Sequence, residues 1–275
     1  MSSFMTEDWP EACVDMSLDV QAVCNKLFQQ GVDSILVKDF HRTGYNLLPE
    51  LIDSQAKIVH GYHQHPVPGI GDPGNATAVL MIGMHAPSGS EGFLAHTLTS
   101  RISKLQVNGE LLSEVELFSA SLAPFNIVPI FFSGCPVACS YAEAKVPGLN
   151  CFPIDKSFDR QTFDKEKWRN SLADEALLAL CECPGKLFIP EGPFSAEIEM
   201  RDGEHIARKL ANRWNLSCKE NTIFLASDNI HDLYFNLMRI CYLTPLLEKV
   251  LPLALALSNL RGRYGLQWIR RRINR

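Results

Sequence analysis

A nine-residue apolar run at residues 76–84 constrains the fold more than any other feature of this chain. Polar residues and glycine bound the run, and it leads directly into His85. Such a run is typical of a central strand that is buried on both faces. A second buried run at 127–132 is followed by a predicted helix at 136–144. Because strands and helices alternate here, we predict an α/β fold with a mostly parallel central sheet and helices on both faces.

The segments around this sheet are less regular. Apolar residues at helical spacing beyond Ser17 predict a first helix, with Ser17 as its N-cap and Gly31 at its end. After residue 156 the pattern favours a smaller α+β unit, with strands that include 187–189 and 194–200. We therefore expect an α/β domain at 1–157, an α+β domain at 158–243 and a helical basic tail at 244–275.

Composition and charge exclude several classes of protein. The chain is 46% hydrophobic and 21% charged with a net charge of -5, which is typical of a globular protein and argues against disorder and against nucleic-acid binding. Residues 261–275 hold six arginines and no acid, which predicts a solvated end or a surface for an anionic partner or another subunit.

The apolar segment 246–257 is too short for a membrane span, so a packed C-terminal helix is expected. Nine irregularly spaced cysteines and the lack of a basic-then-apolar leader predict reduced thiols and a cytoplasmic location.

Two histidines follow predicted strands at their carboxyl ends. His41 comes after residues 34–38, and His85 comes after the run at 76–84. Ligands gather at this edge of a parallel sheet, and imidazole is a good ligand for zinc. A carboxylate would complete such a site, and Glu110, Glu114 and Glu116 are near in sequence. The alternative is that both histidines only bond to backbone carbonyls at the strand ends.

A third histidine, His96, lies in a glycine-flanked loop shortly after His85. A histidine beside a metal site can act as a general base, a general acid or a nucleophile. The competing interpretation is a loop histidine without a catalytic role.

Five short motifs together resemble the D-aminopeptidase family of zinc metallopeptidases that bacterial dipeptide-transport operons encode. Their order and spacing match from about residue 16 to 156, and the later part agrees more loosely to about residue 242. The motifs are Val-Lys-Asp-Phe-His at 37–41 with Asn-Leu at 46–47, Gly-Met-His-Ala at 83–86, Gly-Phe-Leu-Ala-His-Thr at 92–97, Asn-Gly at 108–109 with Ser-Glu at 113–114, and Val-Pro-Ile at 128–130 before Ser-Gly at 133–134.

The resemblance implies a metal-dependent aminopeptidase that acts on short peptides, including peptides of D-amino acids. By position, it makes His41, His85 and Glu114 metal ligands for one or two zinc ions, and it makes His96 the catalytic histidine. It also implies assembly into a homo-oligomeric ring.

The chain also departs from the family pattern. The family opens with a strand that ends in Asp-x-Glu-Gly, whose carboxylates bind the metals, and this sequence is expected to lack that strand, because Asp15 lies in the wrong register to replace it. Lys38 and Phe40 alter the first histidine motif, and Cys135 stands where the family has an acidic residue. These departures leave a second hypothesis open, in which the protein is an inactive relative that serves as a binding or assembly module.

Overall fold

A computed structural model describes residues 4–155, 162–182 and 185–273. Its α-helices, in chain order, are α1 Trp9–Gln29, α2 Glu114–Leu122, α3 Pro136–Lys145, α4 Lys165–Glu182, α5 Glu204–Arg213, α6 Ile230–Tyr242, α7 Pro245–Lys249 and α8 Leu251–Ile273. Its strands are β1 Leu36–Lys38, β2 Lys57–Val59, β3 Ala78–Met84, β4 Ile102–Val107, β5 Glu110–Leu111, β6 Val128–Gly134, β7 Asn150–Pro153, β8 Phe194–Met200, β9 Ser217–Lys219 and β10 Thr222–Ser227. Short 3-10 turns cover Pro49–Leu51 and Ala123–Phe125.

The chain divides into two compact units, each assembled from separated segments. Unit one comprises Met1–Ala76, Asp164–Leu178 and Val250–Arg275, and unit two comprises Thr77–Phe163 and Ala179–Lys249. This division differs from the contiguous ranges 1–157, 158–243 and 244–275 expected from the sequence. The physical reason is strand pairing, because β4 from the first range hydrogen-bonds to β8 from the second.

Unit one contains the parallel pair β1–β2 and the long helix α1. The predicted N-cap at Ser17 is wrong, because α1 already begins at Trp9 with a proline in its first turn. Ser17 is fully buried in mid-helix, where its hydroxyl donates to the Cys13 carbonyl at 2.6 Å and accepts from the Leu48 amide at 2.9 Å. A serine with both bonds satisfied is stable inside a helix, although the residue type favours helix ends.

The acidic face of α1 is paired with cations of α4 within the same unit. Asp15 lies 2.7 Å from Lys165 and 2.9 Å from Arg169, and Asp19 lies 2.8 Å from Arg169. Asp15 is therefore helical and bound to two cations. This confirms that the segment around Asp15 does not replace a metal-binding strand.

Unit two contains a parallel sheet in the order β3-β6-β7. β6 is buried along nearly its whole length, and α2 and α3 pack against the sheet. Strand and helix alternate along this part of the chain as the apolar runs predicted. The structure therefore confirms the α/β class with a mostly parallel sheet and surrounding helices.

The same unit contains an antiparallel sheet in the order β5-β4-β8-β10-β9, which α5 and α6 contact. β8 was predicted with its observed bounds, 194–200. The strand predicted at 187–189 is wrong, because residues 185–190 have no regular secondary structure. β4 and β10 already pair with the two edges of β8, so a further strand has no edge to join there.

Among the described helices, none combines the length and the apolar character that crossing a bilayer requires.

Candidate functional site

His85 stands directly after β3, at the carboxyl end of a parallel strand in unit two. Its Nδ1 lies 3.1 Å from the Phe93 carbonyl oxygen. A proton on Nδ1 that is donated to this carbonyl makes Nε2 the basic nitrogen of the ring. This carbonyl bond is the contact that the alternative interpretation predicts, and the metal-ligand role of His85 stays a prediction.

His96 has the same arrangement and lies beside His85. Its Nδ1 lies 2.8 Å from the Leu94 carbonyl oxygen, and its backbone amide donates to the Ala86 carbonyl at 3.0 Å. The centroids of the two imidazole rings are 4.7 Å apart, with 43° between the ring planes. The fold therefore brings together two of the predicted site residues.

A pair of buried hydroxyls closes the loop that carries His96. The Ser88 amide donates to Thr97 Oγ1 at 3.1 Å, and the Thr97 amide donates to Ser88 Oγ at 2.8 Å. Thr97 Oγ1 in turn donates to the Leu112 carbonyl at 2.8 Å. Ser88 and Thr97 are both fully buried, so these bonds are shielded from water and hold His96 in place.

Two leucines on either side of His96 have left-handed backbone conformations. The φ angle is +50° at Leu94 and +62° at Leu98. This conformation costs an L-residue with a side chain roughly 1–2 kcal/mol. Strain of this kind persists only where surrounding contacts enforce it, and it concentrates at functional sites. The loop geometry around His96 is therefore enforced by tertiary contacts against local preference.

Glu114 is the one of the three candidate carboxylates that bonds to the loop carrying His96. Its Oε1 accepts from the Leu98 amide at 3.0 Å. Burial raises the pKa of the Glu114 carboxyl, and the nearby His96 and the Leu98 amide oppose that rise. The other two carboxylates have different partners, since Glu110 pairs with Lys145 and Glu116 closes a capping box with Ser113 at the start of α2.

Close packing fixes the entry to this loop. A Cβ atom added at Gly92 would lie 2.2 Å from the Ala86 side chain, so only glycine fits there. The next amide, that of Phe93, donates to Cys135 Sγ at 3.4 Å. Cys135, where the resemblance led us to expect an acidic residue, therefore accepts a hydrogen bond from the loop.

His41 belongs to unit one, where it follows β1. The carboxylate of the buried Asp39 accepts from the His41 amide at 3.0 Å and from the Asn46 amide at 2.5 Å. The Asn46 side chain donates to Asp39 and to the His41 carbonyl, and its Oδ1 accepts from Trp9 Nε1 at 3.1 Å. A buried polar network thus fixes the backbone at His41, while the residue itself is exposed.

Lys38 is a half-buried cation in the same motif. Its Nζ donates to the Gly61 carbonyl and lies 5.5 Å from the centre of the Tyr62 ring. Desolvation lowers the pKa of the Lys38 ammonium to about 8, against an opposing effect of Asp39. Since Lys38 departs from the family pattern, it alters the charge of the first histidine motif.

The described residues do not by themselves fit a zinc ion. A catalytic zinc centre needs about three protein ligands and one open position. Within residues 4–155, 162–182 and 185–273, no group of three or more His, Cys, Asp or Glu side chains could hold a metal ion. His85 and Glu114 belong to unit two and His41 belongs to unit one. We therefore derive no catalytic step through zinc.

Several residues of the site could not be predicted from the sequence. Nothing in the sequence marks Leu94 and Leu98 as left-handed, because their conformations depend on long-range contacts. The Ser88–Thr97 pair also lacks a local signature. Asp39 and Asn46 belong to the first histidine motif. Polar residues directly after a buried strand are a signal from which their buried hydrogen bonds could have been predicted.

Comparisons with known proteins identify the family and the fold. The sequence model described as D-aminopeptidase matches residues 2–238. A curated D-aminopeptidase of Bacillus subtilis (strain 168) is 24% identical over 136 residues, which is 48% of each chain, so the match spans about half the length of that relative. The fold is similar to a solved structure described as a Zn-dependent D-aminopeptidase from Bacillus subtilis and a self-compartmentalizing protease, with a TM-score of 0.76 and 17% identity over 86% of this chain and 89% of that one.

Proposed function

Since this chain belongs to the D-aminopeptidase family, we propose that it is a peptidase that removes N-terminal residues from short peptides, including peptides of D-amino acids. We assign the reaction to the cluster of His85, His96 and Glu114 in unit two. The observation that carries this proposal is the placement of His96, which is held by a buried hydroxyl pair between two left-handed leucines and lies beside His85.

In this proposal His96 is the residue that moves the proton. Its Nδ1 is bonded to the Leu94 carbonyl, so Nε2 can accept a proton from the water that adds to the peptide carbonyl. His96 can take the proton from water and return it to the departing amine. Glu114 accepts a hydrogen bond from the Leu98 amide and so helps to hold the loop that carries His96.

We retain zinc as the proposed cofactor, as one or two ions, with His41, His85 and Glu114 as its proposed ligands. The solved relative is described as Zn-dependent, which supports the choice of metal. Bound zinc would polarise a carbonyl and activate water. Because the described residues form no three-ligand group, zinc binding is tested separately, by elemental analysis of the purified chain after dialysis against zinc.

The partners proposed are a short peptide substrate and further copies of the chain. The solved relative is described as self-compartmentalizing, which supports a homo-oligomer. We also propose a cytoplasmic location, supported by the free state of all eight cysteines in the described part of the chain.

The function is tested by incubating the purified chain with matched dipeptides and tripeptides of D- and of L-alanine. Mass spectrometry of the products then identifies which residue is released. The proposal predicts release of single alanines from the N-terminal end. If neither series is cleaved, with or without added zinc, the chain is not a peptidase of this kind.

A second candidate is a family member that binds peptides without cleaving them. The lack of a three-ligand group in the described residues favours it. Titration calorimetry with the same peptides separates the two functions, because binding without product release supports this candidate and turnover excludes it.

A further inference from the structure

The C-terminal helix α8 packs one face against the rest of unit one and exposes another to solvent. On the inner face Gly262, Leu266 and Ile269 are buried. A Cβ atom on Gly262 would lie 2.2 Å from the Tyr45 ring, so the helix packs closely there. This helix lies outside residues 2–238, the part that matches the family.

An apolar stripe begins one residue before α8 and continues along its outer face, and we define it as Val250, Leu253, Leu257, Leu260 and Tyr264. The last four are between 59% and 62% exposed, and Val250 is 40% exposed. The steps between them are alternately three and four residues, as the positions show. This spacing is that of the apolar seam along which two helices pack in a coiled coil.

Side chains of this size and exposure each offer on the order of 100 Å² of apolar surface. Two stripes packed together therefore bury on the order of 1,000 Å², which is about the minimum for a specific interface. The stripe is thus large enough for one helix-to-helix contact between two copies. A continuous stripe of about 500 Å² is comparable to the largest apolar patch that a typical monomer exposes, and such patches often serve as contact sites.

Charge on α8 selects the orientation of the two helices. Residues 251–260 carry no charge, while all the charged residues of the second half are arginines, namely Arg261, Arg263, Arg270, Arg271 and Arg272. Parallel helices would place these arginines side by side. Antiparallel helices place the arginine half of each copy against the neutral half of the other, which avoids the repulsion.

The arrangement of the arginines also indicates that the partner of the stripe is a second copy of the chain, not a lipid surface. A helix that lies on an anionic membrane carries basic residues along both sides of its apolar face. Here the arginines follow the leucines at one end, and several already contact unit one. Arg261 lies 4.7 Å from the Phe4 ring, Arg263 Nε donates to the Tyr45 hydroxyl at 3.4 Å, and Arg270 bonds to Glu50 at 2.8 Å.

From this spacing and charge pattern we propose that α8 is a self-association surface, on which α8 of a second copy packs in antiparallel orientation. Leu257 then faces the partner's Leu260, and Leu253 faces the partner's Tyr264. The proposal does not rest on the peptidase function, because it concerns a helix outside the family match.

The test compares Leu257→Asp with the control Ser258→Asp by sedimentation velocity of the full chain. Both positions are exposed on α8, and only the first lies in the stripe. We expect the wild type at an even multiple of the 30.8 kDa protomer, Leu257→Asp at half that mass, and Ser258→Asp at the wild-type mass. Leu260→Asp should repeat the effect of Leu257→Asp, and circular dichroism confirms that each variant is folded.

A monomeric wild type, or a folded Leu257→Asp that keeps the wild-type mass, would overturn the proposal. Vesicles of phosphatidylserine and phosphatidylcholine provide the remaining comparison. If the wild type is monomeric and pelleted by these vesicles, and Leu257→Asp is not, the stripe binds lipid and the self-association proposal is wrong.

Discussion

Replacing Lys38 with methionine should remove a pH-dependent contribution to stability. Burial lowers the pKa of Lys38 from 10.5 to about 8, because the half-buried ammonium loses hydration that the Gly61 carbonyl and the Tyr62 ring only partly replace. Methionine has a similar length and no charge. Lys38→Met therefore keeps the packing of the β1 end while it removes the titration.

The sign of the effect follows from proton binding. Between pH 8 and 10.5 the unfolded chain holds a proton on Lys38 that the folded chain has released, so the stability of the wild type rises with pH in this window. A lowering of this size corresponds to about 3 kcal/mol for a fully buried group. Because Lys38 is only partly buried, solvent screening reduces the expected value to about 2 kcal/mol.

The assay is urea unfolding of wild type and Lys38→Met at pH 7 and pH 10. The stability of the variant relative to the wild type should be about 2 kcal/mol lower at pH 10 than at pH 7. Lys57→Met, at an exposed position on β2, is the control and should show no such change. An equal pH response in the wild type and Lys38→Met would refute the argument that burial lowers the Lys38 pKa.

Three further predictions concern the loop and the buried network. Leu94→Gly relieves a left-handed backbone conformation. In urea unfolding it should therefore destabilise the chain by about 1 kcal/mol less than the control Leu178→Gly, which lies at a similarly exposed position in a helix. An equal loss of stability in both variants would argue against strain at Leu94. Thr97→Ala should lower the free energy of unfolding by about 1–3 kcal/mol and speed amide hydrogen exchange in residues 86–98, because it removes a buried hydroxyl. Thr97→Ser keeps the hydroxyl and should stay close to wild type. Unchanged exchange in Thr97→Ala would contradict the role of this hydroxyl. Asn46→Ala removes the side-chain amide that donates to the Asp39 carboxylate and to the His41 carbonyl, and leaves the backbone donors of that carboxylate in place. It should cost about 1–3 kcal/mol by thermal unfolding, and an unchanged unfolding temperature would show that the Asn46 side chain adds nothing to this network.

Long apolar runs made much of the fold predictable. β3 and β6 were recognised because strands buried on both faces need uninterrupted apolar sequence, and α3 follows the second apolar run where a helix at 136–144 was predicted. The prediction of an N-cap at Ser17 failed because a long-range contact outweighs the local signal. The residue type favours a helix end, but a long-range bond to Leu48 makes it a buried mid-helix residue.

Those parts of the site that follow directly from the order of strands and loops could be predicted from the sequence. His85 could be placed at a strand end and His96 in the following loop, and the structure brings them together. Which carboxylate faces them could not be read from the sequence. Glu114 differs from Glu110 and Glu116 only in its tertiary partners, and the left-handed Leu94 and Leu98 likewise depend on contacts far along the chain.

The central claim is that His96 performs chemistry on a peptide. It is tested most directly by kcat/KM for cleavage of a short alanine peptide by wild type, His96→Ala and the exposed control His205→Ala. We predict that His96→Ala lowers kcat/KM by about 10²–10⁴-fold, as loss of a general base does, while His205→Ala retains the wild-type value. Cleavage that persists undiminished in His96→Ala, or a wild type that cleaves nothing, would contradict the account.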